Sequence, residues 1–307
     1  MFDVLIVGGG PAALTAAIYS RRAGKSVLIV ERMVPGGQIA LTNTVENYPG
    51  IKKTDGMTLA TMMFEHAQSL GTQFVFSDVL EFSLEGKVKK IRTHEGTFEG
   101  KVIILCLGAS AKQLNLENEK KFLGRGVSYC ATCDGNFFKD KVVAIVGGGN
   151  TSLEDSIYLS NIAKEVYLIH RRDEFKGDRI LVEKLQEETS KPNSKIKVLY
   201  NSHVTKISGT DKLESITIEN CATKQSEELA LDGLFIAIGR KPDTELLEGV
   251  ELDKNGYIIT NEKMETNIPG VYAAGDVRQK QLRQIITACS DGAIASVNTN
   301  EYILRNF

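Results

Sequence analysis

Two cysteines separated by two residues are the part of the sequence best suited to redox chemistry. Cys130 and Cys133 can close a small disulfide, and positive charge or a helix N-terminus nearby would make one thiol more reactive. Asp134 follows at once and can exchange a proton with the thiols, although an aspartate before Gly135 also suits a turn. The same cysteine spacing occurs in half of a zinc site, but the sequence has no second such pair, so we expect no metal site.

The three other cysteines are isolated in the sequence. Cys106 lies in the apolar run 102–107 and is most simply a core residue. Cys221 lies in a polar hairpin region and Cys289 in the last predicted helix, and neither has a partner nearby in the sequence. We interpret all three as non-catalytic, and the odd total of five argues against a fully paired set of structural disulfides.

Two glycine triplets, at 8–10 and 147–149, each follow an apolar strand and open a predicted helix. A second strand then ends 23 residues after the first glycine of each triplet, at Glu31 and at His170. This spacing predicts two β-turn-α-β units, in which a pyrophosphate sits on the helix N-terminus. The third glycine position of the usual motif holds alanine in the first unit and the less usual Ser152 in the second.

The residue that ends each second strand predicts which nucleotide is held. Glu31 would accept a hydrogen bond from a ribose 2′-hydroxyl and repel a 2′-phosphate, so we expect FAD in the first unit. The second unit instead ends in His170, Arg171 and Arg172, with Lys176 close behind. A basic cluster at this position suits a 2′-phosphate, because charge-assisted hydrogen bonds to a dianion are strong. We therefore expect NADPH in the second unit.

Composition and charge limit the remaining possibilities. The chain has 307 residues, enough for about two domains, and its formal net charge is −2. That balance argues against a nucleic-acid surface or a polybasic membrane anchor. The longest apolar run is far shorter than the ~20 residues that span a bilayer, and no targeting signal is visible. We expect a cytoplasmic protein, in which a disulfide is more often catalytic than structural.

A segment near the end of the chain has the pattern of a second half of a flavin site. Residues 266–276 predict a short strand ending in Gly275 and Asp276. Arg283 and Gln284 then precede a helix predicted for 285–296. A helix N-terminus directed at a flavin would stabilise the negative charge of its reduced form.

Taken together, these blocks resemble the low-molecular-weight bacterial type of thioredoxin reductase, from about residue 1 to the C-terminus. The blocks that carry the resemblance are Gly8-Gly9-Gly10-Pro11-Ala12, Gly36-Gly37-Gln38, Glu46-Asn47-Tyr48-Pro49-Gly50, Cys130-Ala131-Thr132-Cys133-Asp134-Gly135, Gly147-Gly148-Gly149-Asn150-Thr151, His170-Arg171-Arg172 and Ala274-Gly275-Asp276. The resemblance implies an α/β fold of two Rossmann-like three-layer nucleotide-binding domains, the second inserted into the first. The implied FAD domain spans 1–112 and 243–307, and the NADPH domain spans 113–242 and carries the cysteines.

The resemblance also implies individual site residues. The implied FAD contacts are Gly8, Gly10, Pro11, Ala12, Ala13, Glu31, Gly37, Gln38, Asn47, Val79, Gly108, Asp276, Arg283, Gln284 and Ile285. The implied NADPH contacts are Gly149, Thr151, His170, Arg171, Arg172, Lys176, Ile238, Tyr257 and Arg283. Family members often have arginine where this chain has Lys176, and lysine offers a point charge in place of a planar fork.

The implied mechanism is a relay from NADPH through FAD and a Cys130–Cys133 disulfide to the disulfide of thioredoxin. Cys133 would lie nearer the flavin, Cys130 would attack thioredoxin, and Asp134 would be the general acid/base. Rotation of the NADPH domain would alternate the two half-reactions, and the family is typically a homodimer.

Other flavoprotein and non-enzymatic classes fit the sequence less well. Ferredoxin–NADP reductases lack the cysteine pair, and the flavoprotein subunit of alkyl hydroperoxide reductase carries an extra N-terminal domain. A dithiol oxidase would not need the basic cluster at 170–172. Glutathione-reductase-type enzymes place their redox cysteines close after the first glycine motif. A zinc or scaffold protein would lack the yellow colour of bound flavin.

Overall fold

The computed structural model describes residues 1–42 and 45–307, which form two compact units. Unit 1 comprises Met1–Ser110 and Lys241–Phe307, and unit 2 comprises Ala111–Arg240. The boundaries expected from the sequence lie two residues further along the chain at both crossings. The elements, in chain order, are β1 (Phe2–Val7), α1 (Pro11–Arg22), β2 (Val27–Glu31), α2 (Gly56–Ser69), β3 (Gln73–Phe76), β4 (Val79–Ser83), β5 (Lys89–Thr93), β6 (Gly96–Leu105), β7 (Ala109–Ala111), β8 (Val127–Ser128), α3 (Ala131–Asp134), β9 (Val142–Val146), α4 (Asn150–Ser160), β10 (Glu165–Ile169), α5 (Arg179–Thr189), β11 (Ile196–Leu199), β12 (Ser202–Gly209), β13 (Leu213–Asn220), β14 (Ser226–Ala230), β15 (Gly233–Ile236), β16 (Arg240–Pro242), β17 (Val271–Ala273) and α6 (Ile285–Asn306), with short 3₁₀ helices at Gly37–Leu41, Gly135–Phe138 and Gly275–Val277.

Unit 1 is built on a sheet with the order β3-β2-β1-β6-β5-β4. The strands β3, β2, β1 and β6 are parallel, β17 runs parallel beside the end of β6, and β5 and β4 continue antiparallel. Alternate side chains of β1 face opposite sides of the sheet: Val4 and Ile6 pack with α1 and α6, and Leu5 and Val7 pack into a second cluster. The glycine turn after β1 therefore lies at the carboxyl end of a sheet covered on both faces.

Unit 2 repeats this plan with the all-parallel order β11-β10-β9-β15-β8. In β9, Val143 and Ile145 pack against the helices, while Ala144 and Val146 pack against the antiparallel sheet β12-β13-β14. Helices, parallel sheet and antiparallel sheet are thus three layers. The predicted α/β fold with Rossmann-like units is confirmed.

The last helix is longer than the sequence predicted. It runs from Ile285 to Asn306, not to Ser296. Gly292, a weak helix former, lies inside it because the backbones of α6 and α1 approach closely: a Cβ on Gly292 would lie 2.1 Å from the Ala12 carbonyl oxygen. In the described part of the chain, no helix combines the length and the apolar character needed to cross a membrane.

Candidate functional site

The cysteine pair lies in a helical turn at the end of an edge strand. Cys130 and Cys133 are joined by a disulfide, with their Cα atoms 5.3 Å apart. The strand β8 ends at Ser128, and Cys130 is the extended residue that precedes α3. The exposed Thr132 places its Oγ1 3.5 Å from the Cys130 Sγ. The fold thus presents the disulfide on a single turn of helix.

Asp134 is the carboxyl group of this turn. Its backbone N–H donates to the Cys130 carbonyl oxygen at 3.1 Å, closing the turn. Burial raises the pKa of the Asp134 carboxyl above its usual value, and a hydrogen bond from the Ser128 hydroxyl to Oδ2, at 2.6 Å, opposes that rise. Asp134 therefore keeps a proton to higher pH than an exposed aspartate does, one turn from the disulfide. Ser128 is not among the residues predicted from the sequence.

In the glycine turn of unit 1, the three glycines have distinct roles. Gly8 has φ +104°, and a Cβ there would lie 2.3 Å from the carbonyl oxygen of Cys106, the residue that follows β6. The Gly9 N–H donates to Oε2 of Glu31 at 2.5 Å. Gly10 precedes α1 and has open space where its Cβ would be. A phosphate can therefore approach the free N–H groups at the start of this helix.

The glycine turn of unit 2 repeats these roles at equivalent positions. A Cβ on Gly147 would lie 2.6 Å from the Ala237 carbonyl oxygen. Gly148 lies against the His170 ring, which would be 2.1 Å from a Cβ, and Gly149 has open space before α4. The residue at the end of the second strand thus packs on the middle glycine in both units. Each turn fits a nucleotide pyrophosphate.

Several residues predicted to contact FAD come together around the first turn. Gly37 lies beside Gly10, since its Cβ position is 3.4 Å from the Gly10 Cα. The Asn47 side-chain amide donates to Oε1 of Gln284 at 3.1 Å, at the start of α6. The other predicted residues of this group lie at the edges of elements: Pro11, Ala12 and Ala13 in the first turn of α1, Gln38 in the 3₁₀ helix Gly37–Leu41, Val79 at the start of β4, Gly108 after β6, and Ile285 at the start of α6.

The turn at Gly275 and Asp276 is held by a buried carboxylate that the sequence analysis missed. Asp291 on α6 accepts the Gly275 N–H at 3.0 Å and the Lys280 ammonium at 2.9 Å. The Arg283 guanidinium donates to the Asp276 carbonyl oxygen at 3.3 Å. It also lies 4.0 Å above the Tyr257 ring, so these two predicted NADPH residues meet within unit 1.

The basic cluster follows β10 in unit 2. His170 is buried, with Nε2 2.9 Å from the Glu174 carbonyl oxygen, whereas Arg171, Arg172 and Lys176 are exposed. The Lys176 N–H donates to the Gly148 carbonyl oxygen at 2.7 Å, which places this loop beside the glycine turn. The ion pairs described in unit 2 use other cations, Arg179, Lys191, Lys197 and Lys224.

Two further predicted NADPH residues lie on the same unit. Thr151 is exposed in the first turn of α4, and Ile238 follows β15.

The remaining cysteines have different surroundings. Burial raises the pKa of the Cys106 and Cys289 thiols, which makes them poor nucleophiles at neutral pH. The sequence suggested that Cys221 is isolated, but the structure gives it a partner. Its Sγ lies 3.4 Å from Nδ1 of His203, on the neighbouring strand β12. None of the three is joined in a disulfide.

Comparison with known proteins relates the whole chain to one family. The family model described as pyridine nucleotide-disulphide oxidoreductase matches residues 2–292. A thioredoxin reductase of Bacillus subtilis is 40% identical over 306 residues, 99% of this chain and 95% of the relative. One of Rickettsia conorii is 42% identical, over 98% of this chain and 97% of the relative.

Solved structures agree with this relationship. The crystal structure of thioredoxin reductase from Streptococcus pyogenes is 40% identical and has a TM-score of 0.92, covering 100% of this chain and 99% of that one. A thioredoxin reductase from Giardia duodenalis has a TM-score of 0.91 at 31% identity, covering 99% of both chains. This chain therefore belongs to the pyridine nucleotide-disulphide oxidoreductases and, among them, to the low-molecular-weight thioredoxin reductases.

Proposed function

We propose that this chain reduces the disulfide of thioredoxin with electrons from NADPH. The observation that carries this proposal is the Cys130–Cys133 disulfide, set on one helical turn with the half-buried carboxyl of Asp134. When bound, the two cofactors supply the electron transfer, with NADPH as hydride donor and FAD as the carrier to the disulfide.

We assign FAD to unit 1 and NADPH to unit 2. The open space at Gly10 and at Gly149 fits a pyrophosphate at each helix N-terminus. Glu31 already accepts the N–H groups of Gly9 and Met33, which directs its carboxylate toward the glycine turn, where a ribose hydroxyl would bind. In unit 2, the exposed Arg171 and Arg172 would hold the 2′-phosphate.

The thiols would then carry out two exchanges. The Cys130 thiolate attacks a sulfur of the thioredoxin disulfide, forming a mixed disulfide and releasing a thioredoxin thiolate. Cys133 attacks Cys130 in turn, which restores the internal disulfide and releases reduced thioredoxin. Asp134 supplies or accepts the proton that each exchange moves, a role that suits a carboxyl with a raised pKa.

The basic cluster gives the first test. We expect Arg171→Ala with Arg172→Ala to lower kcat/KM for NADPH by about 30-fold and to leave kcat/KM for NADH nearly unchanged, because only NADPH loses charge-assisted hydrogen bonds. Steady-state kinetics with each nucleotide measures the ratio. Lys191→Ala with Lys197→Ala removes the same charge elsewhere in unit 2 and is the control. An unchanged ratio in the arginine variant would mean that the phosphate binds elsewhere.

The family resemblance supports three further proposals. Unit 2 rotates about the crossings near residues 110 and 240 between half-reactions, so a cross-link between the units should stop turnover and leave one half-reaction intact.

The protein acts in the cytoplasm, which fractionation of cells would test. It forms a homodimer, for which sedimentation should give about twice 33.7 kDa. Large exposed apolar side chains on α2, such as Met57 and Met62, are compatible with such an interface.

A further inference from the structure

We propose that Ser128 is a positioning residue for thioredoxin reduction, because its hydroxyl can serve as a hydrogen-bond partner to Asp134 in both protonation states of the carboxyl group. This inference rests on the proposed role of Asp134 as the acid and base of the thiol exchange. Ser128 touches no reacting atom, so its effect must pass through Asp134.

The single hydrogen of the Ser128 hydroxyl has two acceptor oxygens within hydrogen-bonding distance. The Ser128 Oγ lies 2.6 Å from Oδ2 of Asp134 and 3.3 Å from the Cys130 carbonyl oxygen. The Cys130 N–H donates to the same Oγ at 3.0 Å and occupies one of its two acceptor sites. The second acceptor site of the Ser128 Oγ and its rotatable hydrogen can therefore both form hydrogen bonds with Asp134.

This arrangement suits a carboxyl that gains and loses a proton. When Asp134 is ionised, the Ser128 hydroxyl donates to it. When Asp134 is protonated, its own O–H can donate to the free acceptor site of Oγ, and the serine hydrogen turns to the Cys130 carbonyl oxygen. Ser128 is only 3% exposed, so water does not readily replace it. Without the hydroxyl, the half-buried Asp134 would lose a partner in either state.

Burial and Ser128 are the two causes that shift the pKa of Asp134. The elements packed most extensively against α3 are α4 and the 3₁₀ helix Gly135–Phe138. The 3₁₀ helix has no titratable side chain, and those of α4 are Glu154, Asp155 and Tyr158. None of these three contributes to the shift at Asp134. Asp155 also has a raised pKa, because burial brings the pKa of its carboxyl to about 7.

The inference predicts the effect of Ser128→Ala on the pH dependence of thioredoxin reduction. Because a hydrogen bond to a charged acceptor is stronger than one between neutral groups, Ser128 favours the ionised carboxyl of Asp134 and so opposes the effect of burial on its pKa. Loss of this hydrogen bond should raise the apparent pKa assigned to Asp134 by about one pH unit, as expected for a hydrogen bond to a charged group. Reduction of FAD by NADPH, followed by stopped flow, should keep the wild-type rate, because that step does not involve Asp134.

Three variants of the FAD-loaded enzyme make the test specific. Asp134→Asn removes the limb of the pH profile that belongs to Asp134. Any limb that belongs to Asp155 stays, so the two carboxyl groups can be told apart. Ser128→Thr retains a hydroxyl and should restore the wild-type apparent pKa. Ser215→Ala removes another buried serine that donates to a carboxylate, Glu228, at 2.5 Å, and should not shift the profile.

The outcomes are distinguishable. An upward shift in Ser128→Ala that Ser128→Thr reverses supports the inference. A wild-type apparent pKa in Ser128→Ala, with the limb absent from Asp134→Asn, overturns the role of Ser128 and leaves the proposed function standing. A limb that persists in Asp134→Asn overturns the proposed role of Asp134 and the inference with it.

Discussion

Serine in place of Cys133 or Cys130 is expected to lower thioredoxin reduction by about 10³-fold or more, because a serine hydroxyl can neither close the disulfide nor act as a thiolate nucleophile. The two cysteines are joined in the structure, with Cys130 directly before α3 and Cys133 inside it, so neither has a substitute close by in the same turn. NADPH-dependent thioredoxin reduction, measured with each single variant, tests this expectation.

FAD should stay bound in both variants, because the cysteines lie in unit 2 and the proposed FAD contacts lie in unit 1. The ratio of flavin absorbance to protein measures retention. Cys221→Ser is the matched control, since Cys221 also lies in unit 2 and takes part in no disulfide. Full activity in either Cys130→Ser or Cys133→Ser would remove the disulfide from the mechanism.

Asp134→Asn should produce the second large effect, a loss of about 10²-fold or more in thioredoxin reduction, which is the usual contribution of a general acid or base. Burial raises the pKa of Asp134, so its protonated form persists to higher pH than in an exposed aspartate. A step that needs this proton therefore slows as the pH rises through the pKa that Asp134 has in the folded protein. Asparagine cannot supply the proton, so the corresponding limb should be absent from the pH profile of kcat.

Stability measurements separate this chemical role from a structural one. A carboxyl whose pKa is raised on folding destabilises the protein as the pH rises above its unfolded value, because the buried ionised form is disfavoured. Asp134→Asn should therefore be at least as stable as wild type at neutral pH, as measured by Tm. Asp211→Asn, in an exposed turn of unit 2, is the control for loss of a carboxylate. Near-wild-type activity in Asp134→Asn would show that the proton comes from another group.

The glycine turns were predictable because their determinants are local. A strand, three glycines and a helix follow one another directly, and Glu31 and His170 each stand 23 residues after the first glycine of their unit. The positions of Glu31 and His170 on the middle glycines follow from that spacing as well. The cysteine pair was equally visible, since its two members are three residues apart.

The supporting residues were not predictable, because tertiary packing brings them into place. Ser128 lies in a two-residue strand, and only the course of the chain through α3 brings the Asp134 carboxylate to its hydroxyl. Asp291 lies 16 residues after Gly275, and only the course of α6 brings its carboxylate to that N–H. Cys221 meets His203 across an antiparallel strand pair. Each of these contacts depends on a register or a helix position that residue types alone do not specify.

The most direct test is an anaerobic titration of the FAD-loaded protein with NADPH, followed by addition of oxidised thioredoxin. We expect NADPH to bleach the flavin absorbance, and thioredoxin to restore it while one thioredoxin disulfide is reduced for each NADPH consumed. The Cys133→Ser variant should bleach and stay bleached. Flavin that bleaches in the wild-type protein but delivers no electrons to thioredoxin would contradict the proposed function.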